Sequence, residues 1–333
     1  MKFPKLFKKA AALVMAAVTT FSVLPATTAF AAGDIGTISF DFTYDRNGNA
    51  MRYNSSAVFD GYTAGGTGSY KYRMYVDGDD AFCIQPGVPL KTGNILKKNS
   101  SQTWNALSSS QKKAVGLALL YGYQGNRSHL SGSDDEKWLA TQTLVWEFVT
   151  GCRESTGTYQ QTSQKAYSLH FGSNYPNSGA AEVYNQIVSL LSKHNTIPSF
   201  MSGGADDITK ELSYQDGKYT MTLTDNNGVL ADYSFATSDS KVSVSKSGNK
   251  LTITSETAFD GSVRITATRS NVPTVSSSAK LIAYGDPSLQ DVVTGVENAD
   301  AVKAYLNVET PTGTIALKKT SEDGVVAGIS FTI

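Results

Sequence analysis

Residues 133–150 read SDDEKWLATQTLVWEFVT. Ser133 stands three residues before Glu136, the spacing of a capping box, so a helix is predicted from about Asp134 to Val149. On that helix Trp138, Gln142, Val145, Trp146 and Val149 fall around one stripe. Gln142 therefore occupies an apolar face, where a buried carboxamide is costly unless its donors and acceptor are paired. Two readings follow: a satisfied structural glutamine, or part of a polar site built against the helix.

Upstream the pattern is β. Ile38, Phe40, Phe42 and Tyr44 alternate with Ser39, Asp41 and Thr43, the period of a half-buried strand. Tyr70–Met74 alternates again, Asp77-Gly78 supplies a turn, and Ala81–Ile84 reads as the returning strand, stopped by Pro86-Gly87. Cys83 thus lies near a strand end. Residues 111–123 and 180–193 are predicted helices flanking the central one. From about 208 to 284, short strands punctuated by Asp216-Gly217, Asn227-Gly228, Gly248-Asn249 and Asp260-Gly261 suggest a small sandwich. Thr310–Gly313 reads as a linker, and residues 314–333 resemble the first hairpin of another β domain.

The 333 residues suggest about two domains at roughly 100–200 residues each. The 29 basic and 29 acidic side chains argue against a strongly basic nucleic-acid binder. Four of the basic residues, Lys2, Lys5, Lys8 and Lys9, lie in residues 1–31, which hold no acid, an apolar stretch around Ala10–Val18 and the ending Ala29-Phe30-Ala31. That is the pattern of a secretory signal peptide. Its removal leaves 25 basic against 29 acidic residues, a mildly acidic protein expected to be exported and not membrane-bound. Two cysteines cannot form a four-cysteine zinc site, and no cofactor is expected.

Three motifs carry a resemblance. Thr141-Gln142-Thr143-Leu144-Val145-Trp146 resembles the TQxAxW motif of Gram-positive surface thioester domains, with Leu144 in place of the usual alanine. Phe82-Cys83-Ile84 resembles that family's aromatic-Cys-aliphatic motif. Leu289–Val293 is similar to its third motif, an apolar residue followed by Gln. The order is the family's order. The resemblance implies an α+β thioester-domain fold, a β-rich part packed on a helical part, over residues 32–308. The sandwich at 205–284 would be inserted before the last motif.

The resemblance also implies chemistry. Cys83 would supply the sulfur and Gln290 the acyl group of an internal thioester, with ammonia lost on closure, and Thr141, Gln142 and Trp146 would support it. A thiolate is the natural side-chain nucleophile. A partner's amine, a lysine ε-amine on a host or neighbouring-cell surface protein, would open the bond and leave an amide crosslink. The protein would then be a single-turnover covalent adhesin on a Gram-positive cell wall, not an enzyme. Gln142 is the second candidate acyl donor. Residues 309–333 resemble a linker and the opening of a pilin-type, collagen-adhesin B-type repeat, with Lys319 at the position of its isopeptide lysine.

Other readings compete. A structural Cys83–Cys152 disulfide is the default for two cysteines in an exported protein and would leave a noncovalent surface-binding protein. A cysteine hydrolase would need His129, His170 or His194 beside Cys83, although each histidine has an ordinary structural explanation. Noncovalent adhesion through the β-rich stretch is compatible with the thioester.

Overall fold

A computed structural model describes residues 33–53, 58–59, 62–63, 70–171 and 177–312. The expected signal peptide and Lys319 lie outside the described residues. The described residues begin with β1 (Ile35–Phe42), a two-stranded ribbon of β2 (Val58–Phe59) and β3 (Tyr62–Thr63), then β4 (Tyr72–Val76), β5 (Asp79–Cys83) and β6 (Ile95–Lys98). Six helices follow: α1 (Gln102–Ala106), α2 (Ser109–Tyr121), α3 (Tyr123–Asn126), α4 (Asp134–Thr150), α5 (Lys165–Phe171) and α6 (Ser178–Lys193). Next come β7 (Thr209–Glu211), β8 (Ser213–Gln215), β9 (Lys218–Thr224), β10 (Tyr233–Thr237), β11 (Ser243–Ser247), β12 (Lys250–Ser255) and β13 (Val263–Arg269). The described chain closes with β14 (Leu281–Asp286), β15 (Leu289–Gly295) and β16 (Lys303–Glu309).

The architecture is α+β. Strands β1, β4, β5, β15, β14 and β6 close into a barrel in that order. The β4–β5 hairpin turns at Asp77 (φ 52°) and Gly78 (φ 91°), two positive φ values that an Asp-Gly pair supplies at low cost. The barrel packs on helices α2 to α6 around one core that includes Phe82, Leu96, Trp138, Val145, Ile187 and Val292. Helix α4 begins at the expected box: Ser133 Oγ accepts from the Glu136 N–H, and Glu136 Oε2 accepts from the Ser133 N–H. It ends at Gly151, whose φ of 76° is the left-handed closing conformation that suits glycine.

Two four-stranded sheets, β10-β13-β16-β7 and β11-β12-β9-β8, form the sandwich over a second core of Leu212, Tyr233, Leu251, Ile253, Ile265 and Leu306. It takes up the late strand β16, which pairs with β13 and β7, while β14 returns to the barrel, pairing with β6 and β15. A chain excursion therefore separates β5 from β15 by the whole helical layer and most of the sandwich, yet the two strands are hydrogen-bonded neighbours.

Candidate functional site

Strands β5 and β15 run antiparallel with Cys83 opposite Val292, and the Ile84 N–H continues the ladder onto the Asp291 carbonyl at 3.1 Å. In that register Gln290 lies diagonally across from Cys83. Side chains alternate faces along a strand, so Val292 and Gln290 share the face that Cys83 presents. Diagonal neighbours are about 7–8 Å apart, within reach of a long side chain. Two residues 207 positions apart in the sequence are thus brought together by strand pairing. The Gln290 Nε2 donates to the carbonyls of Gln85 at 3.2 Å and Val88 at 3.0 Å. The nitrogen that would leave on acyl transfer is held by the loop that follows β5.

Gln142, on α4, uses its carboxamide at both ends against one residue. Its Oε1 accepts from the Cys83 N–H at 2.7 Å and its Nε2 donates to the Cys83 carbonyl at 2.9 Å. Turning this amide into an acyl donor would break both bonds, and Cys83 is only 1% exposed, so neither group would find water. Thr141 does a different job. Its hydroxyl accepts from the Tyr123 N–H at 2.8 Å and donates to the Lys137 carbonyl at 2.8 Å, which joins the start of α3 to α4. Gly122 is needed at this crossing, because a Cβ there would lie 2.4 Å from Thr141 Oγ1.

The thiol itself sits in a dry environment. Burial pushes Cys83 up to about 12, and the Trp146 indole facing the sulfur offsets part of that rise. Phe82 stacks on Trp138 at 5.7 Å, and the Trp138 indole N–H donates to the Ala81 carbonyl. Asp291 is buried beside Gln290, its Oδ2 accepting from Ser101 Oγ and the Thr103 N–H, both at 2.9 Å. It thereby fixes the start of α1 against β15. The Asp in the apolar run of β15 was the visible signal for this role.

Cys83 and Cys152 are both free and buried, so no disulfide joins them. The three histidines are spread out. His129 lies in an exposed stretch beyond α3. His194 is buried against the Tyr121 hydroxyl at 3.0 Å and held down to about 4, chiefly by burial, so it caps α6 as a neutral ring and not as a cation. His170 packs on Trp146, with ring centroids 5.1 Å apart. Sequence reasoning passed over Lys71 and Tyr53. Lys71 is 1% exposed, with its Nζ 2.5 Å from His170 Nδ1 and 5.0 Å from the centre of the Tyr53 ring. A lysine in an alternating strand ordinarily reads as a solvated residue, which is why nothing in the sequence marks it. Among the described residues there is no cluster of three or more His, Cys, Asp or Glu side chains able to hold a metal ion, and no helix is long and apolar enough to cross a membrane.

Residues 80–190 match the family model of the thioester domain. That stretch includes Cys83, Thr141, Gln142 and Trp146 and leaves Gln290 outside. Among solved structures, the thioester domain of the Staphylococcus aureus TIE protein is similar at 18% identity, over 83% of this chain and 99% of that one, with a TM-score of 0.46. The Bacillus anthracis TIE protein is similar at 14% identity, over 83% of this chain and 49% of that one, with a TM-score of 0.34. The chain therefore spans about half the length of the B. anthracis protein. No curated protein matches the chain.

Proposed function

From a chain that carries a thioester domain across residues 80–190, we propose a surface adhesin that binds its partner covalently, through an internal thioester between Cys83 Sγ and the Gln290 side-chain carbonyl. The observation that carries this reading is the β5–β15 register, which sets Gln290 diagonally across from Cys83 on one sheet face. The commitment of the Gln142 amide to the Cys83 backbone favours Gln290 over Gln142 as the acyl donor.

The chemistry follows from the surroundings. On closure the sulfur bonds to the Gln290 carbonyl carbon and the amide nitrogen leaves as ammonia. In the closed form Cys83 carries no titratable proton, and burial keeps bulk water from the bond. A leaving thiolate is disfavoured in so dry a place, so the bond waits until an amine is delivered with a means of protonating the sulfur. Gln290 is only half-buried, and its end of the bond offers the incoming amine its approach. A lysine ε-amine on a partner protein would leave a Gln290–lysine amide and a free Cys83. The reaction consumes the thioester, so each molecule acts once.

We read residues 1–31 as a signal peptide, and the barrel, helices and sandwich as one adhesive unit ending near residue 308. Residues 309–333 then lead from the end of β16 through a linker into a stalk repeat that contributes Lys319. The setting is the cell wall of a Gram-positive bacterium. Incubation with a lysine-bearing surface protein tests the reading. A species that resists boiling in detergent, maps to a Gln290–lysine bond and disappears in Cys83→Ala supports it. Capture that survives Cys83→Ala refutes it.

A further inference from the structure

We propose that Lys71 and His170 form a proton relay beside the thioester, taking a proton from the attacking amine and returning it to the Cys83 sulfur. The inference rests on the thioester reading above and assigns work to two buried groups that reading leaves idle.

The geometry is unusual for a structural lysine. Lys71 precedes β4 and is nearly inaccessible, yet among the described residues no carboxylate pairs with it; its Nζ meets His170 Nδ1 at 2.5 Å and the His170 carbonyl at 3.5 Å. His170, on α5, is held from the backbone side by Asn177, whose Nδ2 donates to the His170 carbonyl at 2.7 Å and to the Arg52 carbonyl at 3.2 Å. The remaining ring nitrogen, Nε2, is buried with no hydrogen-bond partner among the described residues. The ring lies between Trp146 at 5.1 Å and Tyr53 at 5.7 Å. Trp146 also faces the Cys83 sulfur, and the Cys83 charge bears on Tyr53. An apolar side chain would fill the Lys71 site without the cost of burying an amine.

Protonation states fit a relay. Burial holds Lys71 well below the ordinary lysine range, and burial plus the neighbouring Lys71 does the same to His170. His170 is therefore a neutral ring at rest, burial biases Lys71 towards its neutral amine, and the pair can accept one proton and share it across the short Nζ–Nδ1 contact. The other ionisable groups bearing on the site are Tyr53, kept protonated by burial, and Asp291, whose charge raises the Cys83 thiol.

The step balances. The partner nitrogen attacks the Gln290 carbonyl carbon, the C–N bond forms, and the C–S bond breaks with its electron pair going to sulfur. One N–H proton passes to the Lys71–His170 pair and from there to the sulfur, which becomes a neutral thiol. Closure is the same path in reverse with ammonia as the amine, so the relay would also move the thiol proton onto the departing Gln290 nitrogen.

The test is methylamine addition followed by intact mass in wild type, Lys71→Met, His170→Gln and His170→Gly, the last with and without added imidazole. We expect variants that close to add methylamine at least about 100-fold more slowly than wild type at equal free-amine concentration, within the range for a lost proton-transfer group. We expect imidazole to restore at least tenfold to His170→Gly but nothing to Lys71→Met. A folded variant isolated in the open form is read by the same rescue: imidazole must close His170→Gly. Addition within twofold of wild type in Lys71→Met and His170→Gln, or a folded His170→Gly indifferent to imidazole, overturns the relay and leaves the thioester standing. A wild-type protein that never loses ammonia refutes the thioester, and the relay with it.

Discussion

The Gln142 carboxamide bonds both the N–H and the carbonyl of Cys83, at 2.7 and 2.9 Å. A helix side chain thus completes the backbone pairing of a strand residue, at the point where the strand would otherwise end unpaired. Gln142→Leu keeps the volume and leaves two backbone groups buried without partners. At about 1–3 kcal/mol for each orphaned group, the loss should be about 2–6 kcal/mol. Denaturant unfolding of the variant checks this, and a loss below about 1 kcal/mol would mean that the Gln142 bonds do not matter for stability.

The thiol environment gives a second expectation. In Gln290→Ala the thioester cannot close, and Cys83 is left as a thiol pushed up to about 12 by burial. Only the thiolate reacts, so alkylation of Cys83 should rise about tenfold per pH unit from pH 7 to 10 with no plateau. A plateau below pH 8 would indicate an activated cysteine of the hydrolase kind. The same shift sets a stability trend. The unfolded thiol ionises above about 8.5 while the folded one does not, so the open protein should lose stability as pH rises from about 8.5 towards 12.

His194 supplies a pH window on the acid side. Its folded value, about 4, lies below the unfolded value of about 6.5. The unfolded chain therefore binds the proton first as pH falls. The stabilisation is fully present above about 6.5 and is lost on the way down to 4. The full difference is of order 3 kcal/mol. His194→Gln, which can still meet the Tyr121 hydroxyl, should flatten the stability profile between pH 6.5 and 4; an unchanged slope would contradict the assignment.

Much of this was legible in the chain. The capping box at Ser133 and Glu136, the Asp77-Gly78 turn and the alternation in β1 are local signals, and local signals survive without tertiary context. The two readings of Gln142 were also visible, because a polar residue on an apolar stripe must be paired. The bonds to Cys83 join the two readings: the glutamine is satisfied, and it is satisfied by the proposed reactive residue. What stayed hidden was long-range. The return of β14 to the barrel and the capture of β16 by the sandwich depend on which edges the fold leaves open. Lys71 and His170 lie 99 positions apart, and neither has a neighbour in sequence that announces a buried pair.

The two cysteines give a prediction that needs no new variant chemistry. Neither is in a disulfide, so a reducing agent should leave the mass and the unfolding midpoint unchanged. Cys152→Ala, which empties a small buried site beside the Thr150 hydroxyl, should keep the capacity to add methylamine. A midpoint that falls on reduction would show a disulfide in its place.

The bond between Cys83 and Gln290 is read in the intact mass of the mature protein. A closed thioester leaves a chain lighter by one ammonia, unaffected by reductant, that gains one methylamine on Gln290 as Cys83 becomes free. An unmodified mass with Cys83 titrating as a thiol in the freshly purified protein would contradict it.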